Sequence, residues 1–237
     1  MKFLVGERRA AAAAVVSFYG FFFTAMLLSG MAPPELTPML TALASLYGVA
    51  FFGLVSGWFW GRWYASGLGM FGLVSGALGI FQLGFEPVLV FFTISHAILP
   101  AFLAGDSMAA GFDGRTEWRT RFHLDDPAVE RLGKSITRAA MSLPYLLLWA
   151  LGPKQPGQAF IVEALPFVLG AAGLWAVVRM RTWGVVALAG AGATLAATAA
   201  TASGPTPFGA LAVAGLLAAA AAPFVRPIAR HLGSAAR

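Results

Sequence analysis

The sequence predicts an all-α fold, a polytopic integral membrane helix bundle of eight transmembrane helices with both the N-terminus and the C-terminus cytoplasmic. Three observations carry this. The first is composition: 59% of the 237 residues are hydrophobic, only 11% are charged and the mean hydropathy is +0.77, whereas about a quarter of the residues of a soluble domain are charged. A soluble protein of this length needs a polar coat that these residues do not supply, so the bilayer has to solvate most of the surface. The second is the pattern of apolar runs, four on each side of a single long polar segment, residues 105–138. The third is charge: with eight spans and a cytoplasmic N-terminus, fifteen of the sixteen Lys and Arg residues fall on one side and only Lys154 on the other. Cytoplasmic loops collect basic residues in this way, and an extra or missing span near the middle would spoil the partition.

The elements follow in order. Span one is Ala10–Met31, too long for a signal-peptide core of ~7–15 residues and so read as retained; Pro33 and Pro34 end it. Span two is Pro38–Trp60, where Trp58, Trp60 and Trp63 flank Arg62 as an interfacial anchor. Span three is Tyr64–Phe85. Span four, Pro87–Leu103, has 17 residues and covers only ~26 Å at the helical rise. Span five is Ser135–Leu151, the weakest, since only Ala139–Leu151 is free of charge. Spans six to eight are Ala159–Val178, Trp183–Thr201 and Pro207–Val225. The chain thus divides into residues 1–104, a cytoplasmic polar loop at 105–138 with an amphipathic helix, and residues 139–237, within one membrane domain overall.

Inside the polar loop, residues 105–114 read as loop from their three glycines. Asp126 before Pro127 reads as an N-cap with proline at the first helical position. Val129, Leu132 and Ile136 then form an apolar stripe, with Glu130 and Lys134 paired at i,i+4 on the other side. The basic residues Arg115, Arg119, Arg121, Arg131 and Lys134 make this segment the candidate docking surface for a protein partner.

The hexapeptide Phe-Gly-Leu-Val-Ser-Gly occurs at 52–57 and again at 71–76. It places Gly53 and Gly57, and Gly72 and Gly76, four apart, a spacing that lets helices approach closely in lipid. Each copy also offers a serine, but no span after the polar segment contains a histidine to activate it. Packing is therefore the better reading. Histidine occurs inside a span only at His96, beside Ser95, and an acid only at Glu163; intramembrane ionisable groups are functional candidates. Glu86 opens span four on the outer side, ~15 Å along the helix from His96 at the helical rise. His96, Glu163, Ser95 and Glu86 are the candidate substrate-path residues, against the plainer alternative of a satisfied core histidine and solvated acids.

No catalytic residue, metal site or cofactor is assigned. Cysteine is absent, which excludes disulfides and thiolate metal sites. The acids and histidine at 113–126 read as capping and surface residues, and the net charge of +6 as cytoplasmic span ends, with no nucleic-acid partner. Acid–base chemistry needs at least two positioned groups, so an enzyme is disfavoured. The resulting expectation is a multi-pass inner-membrane protein in contact with membrane lipids, of permease-like character, binding or passing a small apolar or lipid-like molecule. The alternatives are a non-catalytic scaffold docking a partner through the cytoplasmic loop and a membrane-embedded lipid-modifying enzyme.

Overall fold

A computed structural model describes residues 4–30, 32–113, 125–152, 160–201 and 207–235. These are almost entirely helical, and no strand occurs among them. The chain folds as two compact units, Met1–Val129 and Glu130–Arg237.

The first unit is built on α1 (Leu4–Leu28), α2 (Thr37–Ser56), α3 (Gly61–Leu83) and α4 (Pro87–Leu103). Each helix packs on the next, and α1 also packs on α4, so the four close into an up-and-down bundle. The breaks follow local chemistry. Gly57, at φ +67°, ends α2 in the left-handed region and returns its N–H to the carbonyls of Gly53 and Leu54. Gly57 therefore does not share a packing face with Gly53, as the four-residue spacing suggests; it terminates the helix. Gly84 ends α3 at φ +89°, and Pro87 stands at the start of α4, where its missing N–H has no helical acceptor to leave empty.

The region read as loop contains a two-turn helix, α5 (Asp106–Asp113), reached through Gly105 at φ +97°. Met108 and Phe112, one turn apart, are fully buried, and the Arg9 guanidinium lies 5.0 Å from the Phe112 ring centre. Its glycines argue against a helix, and so short a helix is marginal alone. Docking of Met108 and Phe112 supplies what propensity does not.

The second unit holds α6 (Asp126–Leu151, entering it at Glu130), α7 (Phe160–Val178), α8 (Trp183–Thr201) and α9 (Pro207–Ala235). α7 packs on α8 and α8 on α9. α6 runs unbroken through Pro144 and begins one residue earlier than the sequence suggests. Asp125, rather than Asp126, is the cap: its Oδ1 accepts the Ala128 N–H at 2.8 Å. Val129, Leu132 and Ile136 are buried, and Lys134 and Glu130 form the exposed ion pair, which holds the Glu130 carboxyl below its ordinary range.

Glycines set the spacing in this unit as well. A Cβ at Gly170 would strike Leu146, one at Gly192 the Ala214 carbonyl, and one at Gly173 or Gly184 the facing backbone of α8 or α7. Pro223 inside α9 has no N–H for the Ala219 carbonyl four residues earlier. Arg138 Nη1 donates to that carbonyl at 2.8 Å, and Ser135 Oγ donates to the neighbouring Ala220 carbonyl at 2.7 Å.

Six helices among the described residues are long and apolar enough to cross a membrane, or seven if α4 and α5, bent by 79°, count as one. The expected eight included α4 and the second half of α6 as separate spans. α4 has 17 residues, and the charge-free part of α6, residues 139–151, reaches only ~20 Å at the helical rise against a ~30 Å hydrocarbon core. The class is nevertheless clear: an all-α, multi-pass membrane protein.

Candidate functional site: a tyrosine, serine and histidine cluster inside the first bundle

His96 lies near the middle of α4 and is fully buried. Its Nδ1 is 2.8 Å from the Phe92 carbonyl one turn earlier. A carbonyl only accepts, so Nδ1 carries the hydrogen and, in the neutral imidazole, Nε2 accepts. The donor to Nε2 is the Tyr47 hydroxyl of α2, at 2.7 Å. Ser95 repeats the arrangement. Its Oγ donates back to the Phe91 carbonyl at 2.7 Å, which leaves it to accept the Tyr19 hydroxyl of α1, 2.6 Å away. Two tyrosines from two helices thus donate to adjacent residues of α4, and both chains of hydrogen bonds end on α4 carbonyls.

The rest of the cage is aromatic on one side and glycine on the other. The rings of Phe92 and Tyr19 lie 4.1 and 4.3 Å from the imidazole, centre to centre. On α3, Gly69, Gly72 and Gly76 recur at spacings of three and four, which puts them on one face. A Cβ at Gly72 would overlap the imidazole, and one at Gly76 would overlap Thr93. At Gly69 it would meet Leu99, Pro100 and the His96 carbonyl, whose helical donor Pro100 removes.

The other candidates lie elsewhere. Glu86 is exposed at the N-cap of α4 and makes no side-chain cap there. Glu163 is buried in the first turn of α7, in the second unit, rather than reaching out to water. Gly53 allows the α2–α3 turn to fold back, since a Cβ there would meet Trp60 and Gly61. Arg131 and Lys134 are exposed on α6, while Arg115, Arg119 and Arg121 lie outside the described residues, as do Glu117 and His123.

Two sets of residues escaped sequence reasoning. Tyr19 and Tyr47 carried a usable signal: tyrosines belong at membrane interfaces, and one near the middle of an apolar run needs a buried partner for its hydroxyl. Arg8 and Arg9 gave none beyond their charge. Arg9 donates to the carbonyls of Leu54 and Val55, each at 2.7 Å, at the C-terminal end of α2. Arg8 donates to the Ala104 carbonyl at 2.6 Å, just past the end of α4. Adjacent residues at the start of α1 therefore cap two other helices at their C-terminal ends, where the last carbonyls run short of helical donors and the dipole favours a cation.

No protein-family model, curated protein or solved structure matches this chain. Fold and site together define a multi-pass α-helical membrane protein whose first bundle is closed around an internally satisfied polar core.

Proposed function

We propose that this is a non-catalytic scaffold or assembly subunit of the inner membrane, presenting the basic face of α6 to an acidic partner protein. The observation that supports this reading is the satisfaction of the intramembrane cluster. His96 spends one ring nitrogen on Phe92 and the other on Tyr47, and Ser95 is bonded to both Phe91 and Tyr19. Such a network ties α1, α2 and α4 together and spends its donors internally. The permease-like reading requires His96 to face a passing molecule, and its imidazole is enclosed by Tyr47, Phe92 and Gly72. An enzymatic reading needs an acid–base pair open to a substrate, and the Tyr47–His96 pair is buried. Arg131 and Lys134 are exposed on the side of α6 opposite its buried stripe, where a surface rich in carboxylates would complement them.

The test is native mass spectrometry of the gently extracted protein, comparing wild type, His96→Phe and the double variant Arg131→Glu with Lys134→Glu. The scaffold reading expects a stoichiometric protein partner that survives the first change and is lost with the second. A small molecule retained by wild type and lost on His96→Phe, with no protein partner, would replace it with the permease.

A further inference from the structure

We propose that the α7–α8 hairpin binds the phosphate of an anionic phospholipid through Arg179 and Arg181, with Trp175 and Trp183 against the glycerol and upper acyl region. The connection between the helices is only residues 179–182. Its geometry is tightly determined. Met180 takes φ +56°, a left-handed conformation rare for a residue with a side chain. Its N–H donates to the Val177 carbonyl at 3.0 Å, and the Arg181 N–H reaches the Ala176 carbonyl at 2.8 Å. That pair of bonds is the six-to-one and five-to-two closure of a Schellman turn, at a position glycine usually fills. The turn leaves Arg179 and Arg181 on either side of Met180, both exposed.

The surrounding side chains complete a surface that is cationic at its tip and aromatic beneath. The Arg179 guanidinium carbon lies over Trp175, 4.8 Å from the ring centre, and Trp175 and Trp183 lie 6.3 Å apart, centre to centre, each about half exposed. A guanidinium suits phosphate because its planar fork can give two parallel bonds to the oxygens. Indole rings favour the level where headgroup meets chain. This combination selects a lipid phosphate rather than a free one.

Charge supports the same occupant. From Glu130 to Arg237 the chain has nine Lys and Arg residues and two acids, Glu130 and Glu163. Glu130 is bonded to Lys134. Glu163 is in the first turn of α7, sixteen residues before Arg179, or ~24 Å along the helix. Basic side chains thus far outnumber acidic ones in this unit. An anionic leaflet supplies the opposite charge, at a level where each surface arginine adds to the attraction.

The experiment uses the full chain in detergent, titrated with phosphatidylglycerol, phosphatidylcholine or inorganic phosphate and read by native mass spectrometry. Wild type is expected to retain one phosphatidylglycerol at least ten-fold better than phosphatidylcholine, and Arg179→Gln with Arg181→Gln to abolish that preference. Both side chains are exposed, so the double variant should keep its fold, which its circular dichroism checks. Arg226→Gln, an exposed arginine elsewhere in the same unit, should bind as wild type does. Undiminished preference in the double variant, equal loss in Arg226→Gln, or displacement of the lipid by millimolar phosphate would overturn the proposal.

Discussion

Tyr47 donates its hydroxyl to Nε2 of His96 across 2.7 Å, joining α2 to α4 near the middle of both helices. The two residues are 49 positions apart in the chain, and neither has water to turn to, since both are buried. Interhelical hydrogen bonds inside membranes average about 0.6 kcal/mol and reach about 1.7. Tyr47→Phe should accordingly destabilise the protein by about 1 kcal/mol. His96→Phe should do so by roughly 1–3 kcal/mol, because it also leaves the Tyr47 hydroxyl buried without its acceptor. Unfolding in mixed micelles checks both, and equal stability of all three proteins would show that the bond contributes nothing.

Gly72 is the position where the cluster tolerates least. A methyl group there overlaps the imidazole, whereas at Gly48 it meets no atom within 4 Å. Gly72→Ala should therefore cost roughly 1–3 kcal/mol through overpacking. Gly48→Ala should be neutral or gain up to about 1 kcal/mol from helix propensity. The contrast between two identical substitutions, measured by thermal unfolding, isolates packing from backbone entropy.

Arg9 tests whether the N-terminal arginines act by charge or by shape. It binds the adjacent carbonyls of Leu54 and Val55 and also covers Phe112. Arg9→Lys keeps the charge but not the planar fork that reaches two acceptors at once. Most of the loss seen in Arg9→Gln, about 1–3 kcal/mol, should then appear in Arg9→Lys as well. Full rescue by lysine would assign Arg9 to charge alone.

Arg138 and Pro223 form a pair that a double-mutant cycle can read. Arg138 serves the Ala219 carbonyl, which Pro223 deprives of its helical donor. Pro223→Ala restores that donor. Arg138→Leu should therefore destabilise wild type more than it destabilises the Pro223→Ala protein, with a coupling of roughly 0.5–3 kcal/mol between the two sites. Additive effects would separate them.

Much of this architecture is determined locally. Composition alone demands membrane helices, and the breaks at Gly57, Gly84 and Pro87 follow from left-handed backbone and a missing N–H, properties of single residues. The buried stripe of α6 is equally visible, because Val129, Leu132 and Ile136 alternate with charges. Elsewhere in the spans periodicity is silent: lipid and a neighbouring helix accept the same apolar side chains, so no pattern says which face is inside. Only the tertiary structure decided that His96 meets Tyr47, that Ser95 meets Tyr19 and that Arg8 and Arg9 cap α4 and α2. It likewise made α5 a helix by burying Met108 and Phe112, and gave the carbonyl freed by Pro223 to Arg138. A residue's need for a partner is written in its own chemistry, but which residue answers depends on the packing of helices far apart in the chain.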